Sequence, residues 1–289
     1  MYTILLVIKQ FTHDGVDNHE RFMNIGLPTY EKFLDLKSLK QFIIIAPEAE
    51  LAELSKKLLA LPVSHATWTW PWVFISEDKL VDNKITSGWG RQQTAKLAAS
   101  MIVTTDHYLI IDDDTYLTRP FSEDNLKDTD GKLIWNRTRI DFPFFFLWSN
   151  QVLKYDFNDV QKDEYHMAIT PEVFVTSEVR SLVKWLVTEY GDARRWQKFI
   201  TDHKYTEYCL YWIWLIKNNK HTTLYSTLPV DKCTSVYAFE TSSDGHNLTE
   251  RIKDSFKSDK HYFSFVQSSL GYPVGHVRGL IRASCPDLK

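Results

Sequence analysis

Residues 108–117 read Tyr-Leu-Ile-Ile-Asp-Asp-Asp-Thr-Tyr-Leu, an apolar run that ends in three consecutive carboxylates before the chain turns apolar again. A short run rich in Ile and Leu predicts a strand buried on both faces, the strand type of parallel sheets. In open α/β sheets ligands bind outside the carboxyl ends of the strands, which is where Asp112, Asp113 and Asp114 would then sit. Three adjacent like charges disfavour one another's ionisation unless something positive neutralises them, and hard divalent cations prefer carboxylate oxygens. The stretch therefore predicts an α/β fold with a metal-assisted site for an anionic ligand at a sheet edge.

The rest of the chain alternates in the way such a sheet requires. Residues 3–8, 41–46 and 68–75 predict strands, and 49–61 predicts a helix with Leu51, Leu54, Leu58 and Leu59 on one face. Residues 18–36 have helical spacing, with Gly26 and Pro28 arguing for an interruption. Residues 91–101 predict a helix with an apolar stripe at Leu97, Ala98 and Met101, on which Gln92 and Lys96 share a polar face. That helix leads directly into the carboxylate strand, so its polar face can lie beside Asp112–Asp114.

Downstream, Asp130-Gly131 signals a turn and 132–136 a strand. Residues 172–190 predict a helix started by Thr170-Pro171 and ended by Gly191. Residues 195–218 form one aromatic helical stretch, 225–228 and 261–266 predict late strands, and 250–259 reads as either helix or loop. The β-α alternation predicts a parallel sheet with helices on both sides. With no repeat, low-complexity segment or linker, one domain over 1–289 is expected.

Composition narrows the function classes. Lys plus Arg (34) nearly balances Asp plus Glu (37), so no basic excess points to nucleic acid. Aromatic residues make up 14% of the chain; they serve either a large core or platforms for sugar faces, and composition alone does not separate the two. Cys209, Cys233 and Cys285 are odd in number and lack metal-ligand spacing, which fits reduced thiols better than a disulfide framework. No signal-peptide pattern and no apolar run of membrane length is seen, so a cytoplasmic location without a membrane span is expected.

Two enzyme classes place Asp-x-Asp at the end of an apolar strand. The haloacid-dehalogenase phosphotransferases want Asp-x-Asp-x-Thr early in the chain; here Thr115 follows Asp114 at once, more than a third of the way along. The pattern Ser87-Gly-Trp-Gly-Arg-Gln-Gln-Thr-Ala-Lys-Leu97, then Tyr108 to Thr115, His166-Met167, and Thr206-Glu-Tyr-Cys-Leu-Tyr211 instead resembles a family of GT-A-type glycosyltransferases found in bacteria, algae and large viruses. The matching span runs from about residue 87 to 211.

This resemblance implies a GT-A-like (Rossmann-like) α/β fold whose mixed, mostly parallel sheet is flanked by helices. Residues 1–120 would bind the nucleotide-sugar and 121–289 the acceptor. It implies sugar transfer from a UDP- or GDP-type nucleoside-diphosphate sugar to a glycan hydroxyl with Mn²⁺ or Mg²⁺, an inverting outcome being favoured. Asp114 and Asp112 are the expected metal ligands, with Asp112 and Asp113 also reaching the donor. Arg91, Gln92 and Lys96 are expected on the diphosphate or sugar, and His166 at the acceptor. Glu207 is expected either as the base that takes the acceptor's proton or as a first-turn carboxylate complementing its helix dipole. His261 and His276 fall in no metal-ligand pattern; residues 265–269 are expected where a late ligand would come from. The alternatives are a metal-dependent phosphotransferase or phosphohydrolase, and a non-catalytic glycan-binding protein.

Overall fold

The computed structural model describes residues 1–11, 15–60, 69–136, 143–156, 167, 170–203, 205–227, 235–240 and 248–288. The chain opens with β1 (Tyr2–Val7), followed by α1 (Asn18–Arg21), a π turn (Phe22–Gly26) and α2 (Leu27–Phe33). Then come β2 (Leu39–Ala46), α3 (Glu48–Leu59), β3 (Trp72–Ser76), α4 (Gly88–Ala98) and β4 (His107–Ile111). The strands assemble in the order β3-β2-β1-β4 as parallel neighbours. β6 (Glu172–Val175) adds antiparallel to β4 at the far edge. The fold is thus α/β, a five-stranded, mostly parallel sheet flanked by helices.

Apolar identity explains the centre of this sheet. Ile4–Leu6, Phe42–Ile45 and Tyr108–Ile111 have no exposed surface, as expected for strands covered on both faces. The strand order also fixes where a ligand can enter. From β1 the chain moves to β2 on one side, whereas β4 lies on the other, so the connections diverge at the carboxyl ends of β1 and β4. That divergence is a topological switch point, where open α/β sheets bind ligands. Asp112 is the first residue past the end of β4.

After the carboxylates the chain does not return to the first sheet. Thr115–Leu117 forms β5, which pairs antiparallel with β8 (His261–Phe265), and β8 pairs parallel with β7 (Ser235–Glu240). Asp112–Asp114 is therefore the joint between two sheets. A smaller apolar cluster, with Ile25, Tyr116, Ile252, Val266, Val277 and Ile281, backs the second sheet. It draws on α10 (Leu248–Lys257) and α11 (Val274–Ser284). The remaining helices are α5 (Pro143–Leu153), α6 (Thr176–Tyr190), α7 (Ala193–Thr201), α8 (Glu207–Lys217) and the short α9 (His221–Leu224). Among the described residues no helix is long and apolar enough to cross a membrane.

Several local expectations are corrected. Residues 172–175 are strand, not the start of a helix: Val173 and Phe174 are fully buried and pair with Leu109 and Tyr108, so tertiary pairing overrides the helical spacing. Residues 132–136 make only an isolated bridge at Leu133, which also meets Tyr225. The stretch 195–218 is two helices, the second capped by Thr206, whose side chain accepts from the Cys209 N–H at 3.1 Å. Residues 250–259 are largely helical, within α10. Met101, expected on the apolar stripe of a helix over 91–101, lies in a 3-10 turn past the end of α4 and is 63% exposed.

Gly26 and Pro28 do not break the helical run; the run continues through the π turn, and Pro28 sits in the first turn of α2, where no amide donor is needed. The glycine has a different purpose. A Cβ at Gly26 would lie 2.9 Å from the backbone oxygen of Thr115, so its absence lets the helix approach the first residue of β5. Helix propensity favours Ala over Gly by about 1 kcal/mol, but overpacking against a fixed backbone costs about 1–3 kcal/mol. Gly26→Ala is accordingly expected to lower the urea midpoint rather than raise it. An unchanged or raised midpoint would show that the helix can back away from β5.

Candidate functional site

The site is built around one buried cation. Ser87 caps α4, its hydroxyl accepting from the Gly90 N–H at 3.1 Å. The sequence then places Gln93 and Lys96 three apart on the face turned to the carboxyl end of β4. Lys96 is 2% exposed, and its Nζ lies 3.0 Å from Asp112 Oδ1 and 3.0 Å from Glu207 Oε1. It also donates to Tyr208 Oη at 3.2 Å. Thr170 Oγ1 donates to Asp112 Oδ2 at 2.6 Å and shares a 2.7 Å hydrogen bond with Tyr208 Oη. Lys96, Asp112, Thr170 and Tyr208 thus form a closed ring, with Glu207 attached to it through the ammonium.

Backbone contacts hold the ring's members in place. Tyr108 Oη donates to the Lys96 carbonyl at 3.1 Å, locking α4 onto β4. Gln93 Oε1 accepts from the Glu207 N–H at 3.2 Å, locking α4 onto the start of α8. Burial works against the Lys96 charge, but Asp112 and Glu207 outweigh it and hold the ammonium protonated well above the usual lysine range. Burial pushes the Glu207 carboxyl upward, with Lys96 opposing.

The other two carboxylates sit on the far side of the joint. The turn closes as Asp112 O accepts from the Thr115 N–H at 3.2 Å and from Thr115 Oγ1 at 2.7 Å. Asp114 Oδ2 accepts from the Ser268 N–H at 3.2 Å, and Asp114 O accepts from the Val266 N–H at 3.2 Å. The segment 265–269 therefore does come to the acidic turn, and it brings backbone amides to it. Arg21, wholly buried on α1, donates through Nη2 to Val266 O, while its Nε and Nη1 have no hydrogen-bond partner among the described residues. Asp113 is buried too, with Oδ2 unpartnered. Burial, then Asp114 and Asp112, pushes the Asp113 carboxyl well above its ordinary range, Arg21 opposing. Burial, then Asp112, pushes Asp114 up to about 6, with Arg21 and the Ser268 amide opposing.

The structure thus gathers Asp112, Asp113, Asp114, Lys96 and Glu207 as the sequence suggested, but changes several of their surroundings. Lys96 is enclosed and committed to carboxylates. Glu207 has no exposed surface, so its carboxylate faces Lys96 rather than open space. Gln92 donates to Val7 O at 3.1 Å, at the end of β1 and so on the same sheet edge. Arg91 is also at this edge, but away from the acidic turn: it pairs with Glu77, the residue that follows β3, at 2.7 Å and with Asp78 at 2.8 Å and donates to Asp82 O at 3.1 Å. His166 lies outside the described residues. Sequence reading missed Arg21 and Thr170; the first follows the β1 loop at the switch point, a position that could have flagged it, and the second was read only as a helix cap.

Among the described residues no three His, Cys, Asp or Glu side chains converge as a ready-made metal site. The donor set nonetheless suits a divalent cation. Four carboxylates (Asp112, Asp113, Asp114, Glu207) face two cations (Lys96, Arg21), so two negative charges go unbalanced when all are ionised. Asp113 Oδ2 is a buried orphan oxygen. Mg²⁺-type ions are commonly held by one or two carboxylates plus substrate phosphates rather than by an all-protein cage.

The chain belongs to the family described as Family of unknown function (DUF6492), whose model matches residues 1–288. No curated protein matches it by sequence. Among solved structures it is similar to the crystal structure of mouse xyloside xylosyltransferase 1 in its apo form, with a TM-score of 0.49 at 12% identity, over 94% of this chain and 99% of that one. A likeness of that degree says nothing about this chain's chemistry.

The acidic turn stores instability that pH should reveal. Because Asp114 titrates near 6 in the folded chain and near 3.9 when unfolded, the folded state holds the extra proton between those values. Its favourable contribution is full below about pH 4 and is lost as pH rises through about 6. Asp114→Asn keeps an acceptor for Ser268 and removes the charge. In chelator, the variant is expected to match the wild type near pH 4 and to exceed it by about 1–3 kcal/mol at pH 7, measured by urea unfolding. Equal stabilities at both pH values would show that Asp114 is not under this stress.

Proposed function

We propose that this family member is a glycosyltransferase, moving a hexose, deoxyhexose or pentose from a UDP- or GDP-type donor to a glycan hydroxyl with the help of Mn²⁺ or Mg²⁺. The observation that carries this reading is the acidic turn itself: three crowded carboxyl groups at the switch point between β1 and β4, where burial and mutual repulsion hold Asp113 and Asp114 above the ordinary carboxylate range, a stress that a bound cation would relieve. The Trp89-to-Lys96 pattern and the acidic motif, in their order along the chain, support a nucleotide-sugar over other anionic ligands.

In this reading Asp114 and Asp112 hold the cation. Asp114 keeps one carboxylate oxygen clear of the Ser268 amide, and Asp112 keeps 29% of its side chain exposed although Lys96 and Thr170 each engage one of its oxygens. When bound, the cation offsets the negative charge that develops on the departing diphosphate. Asp113 Oδ2, without a hydrogen-bond partner among the described residues, would accept from a donor hydroxyl. Gln92 lines the end of β1. Arg91 and Lys96 are not given the diphosphate, because both are already engaged by carboxylates. Glu207 is not given the acceptor's proton, because it is enclosed; the inverting outcome is retained with its base unassigned.

The phosphotransferase alternative needs Asp112 as a free nucleophile. Lys96 and Thr170 engage its two oxygens, which disfavours that role.

A donor panel settles the reading. Nucleoside diphosphate release is expected from one UDP- or GDP-sugar with manganese, and that donor should raise the melting temperature by mass action. Asp114→Ala is expected to reduce turnover by about 100-fold or more, the scale of losing a main electrostatic stabiliser. Phosphomonoester cleavage without a donor would replace the proposal. So would glycan binding without any turnover that survives Asp112→Ala plus Asp114→Ala.

A further inference from the structure

We infer that Glu207 is a positioning residue that acts through Lys96 to keep the charge of Asp112 available to a bound cation. The inference rests on the metal reading above. Its basis is the arrangement of three groups: one ammonium, 2% exposed, at 3.0 Å from each of two carboxylates. Of these carboxylates Glu207 is fully enclosed, whereas Asp112 is 29% exposed and opens toward the acidic turn. Glu207 is held by its place in the fold. Thr206 caps the helix and Gln93 fixes the Glu207 amide, so the carboxylate meets Lys96 and nothing outside.

Consider the charges. With all three groups present the triad carries one net negative charge, and the only member with an outlet is Asp112. Without Glu207, Lys96 would neutralise Asp112 alone, and the turn would face a cation with one charge fewer. Without both Lys96 and Glu207, Asp112 would again carry its charge undiminished. The inner pair therefore works as a balanced spacer: Lys96 fixes the direction of Asp112 through the ring with Thr170 and Tyr208. Glu207 keeps that fixation from cancelling the charge it directs. A residue that merely fills space makes no such distinction between the single and the double change.

The test measures Mn²⁺ binding to the full chain with saturating UDP or GDP but no donor sugar, by calorimetry or by the Mn²⁺ electron paramagnetic resonance signal, with circular dichroism confirming the fold of each variant. Glu207→Gln, which conserves shape, is expected to weaken Mn²⁺ binding on the order of tenfold. Lys96→Met combined with Glu207→Gln is expected to recover most of that loss, even though it removes more of the network. Binding by Glu207→Gln equal to the wild type would overturn the inference. So would a double variant that binds no tighter than the single one. Wild-type chain that binds no Mn²⁺, or binds it as well after Asp114→Ala, would instead overturn the metal reading itself and this inference with it.

Discussion

The Lys96 ammonium is the interaction on which the other parts of the site depend. It joins α4 and the end of β4, which follow one another in the chain, to the first turn of α8, which lies far downstream. Taking such a charge out of water costs several kcal/mol, and only close partners on more than one side offset that. Here two carboxylates, the Tyr208 hydroxyl and the Tyr208 ring, 5.1 Å from Nζ to centroid, enclose it. The interaction is better read as specifying geometry than as adding stability. A hydrophobic core could hold α4 against α8 equally well, but it would not direct Asp112.

The acidic turn shows the converse arrangement, in which the fold tolerates local instability. β4 is sealed on both faces, β5 leaves at once for the second sheet, and the joint between them must be tight. Tyr30 Oη reaches Thr115 Oγ1 at 2.9 Å, Thr29 Oγ1 accepts from the Leu117 N–H at 2.9 Å, and Gly26 lets that helix come close enough for both. These contacts hold three carboxylates together against their mutual repulsion. Titratable groups perturbed by burial and like charge in this way cluster at functional sites. Arg21 relieves part of that repulsion from behind without completing its own hydrogen bonds.

Much of this was legible in the sequence, and the parts that were not share a cause. The four parallel strands and the helices between them announce themselves by unbroken apolar runs and by a 3.6-residue stripe, because local burial is what those patterns record. The acidic motif and Lys96 were legible because charged residues beside a buried strand are informative in themselves. β6 was not, since residues 172–175 form a strand only because β4 offers an edge to pair with. The role of Thr170 and the enclosure of Glu207 were hidden for the same reason. Both depend on which helix lands on which, and spacing along one element carries no such information. The partners of Arg91 were likewise not legible: Glu77 and Asp78, just past the end of β3, engage it through the fold.

Helix α4 is buried on more than its apolar stripe. The expected stripe holds at Leu97 and Ala98, both buried, while Met101 lies past the end of α4 in a 3-10 turn and is 63% exposed; on the same helix Gln93 and Lys96 are buried as well. The helix therefore buries its polar face too, against the N-terminus of α8 and a carboxylate. Inward polar faces are costly unless every group finds a partner, and here Gln93 and Lys96 do. A chain gains nothing in stability from such a choice that Leu and Met could not supply. What it gains is a carboxylate of fixed direction at the one sheet edge where topology leaves room for a ligand. The buried polar face of α4 thus adds to the acidic motif in supporting this edge as the site proposed above.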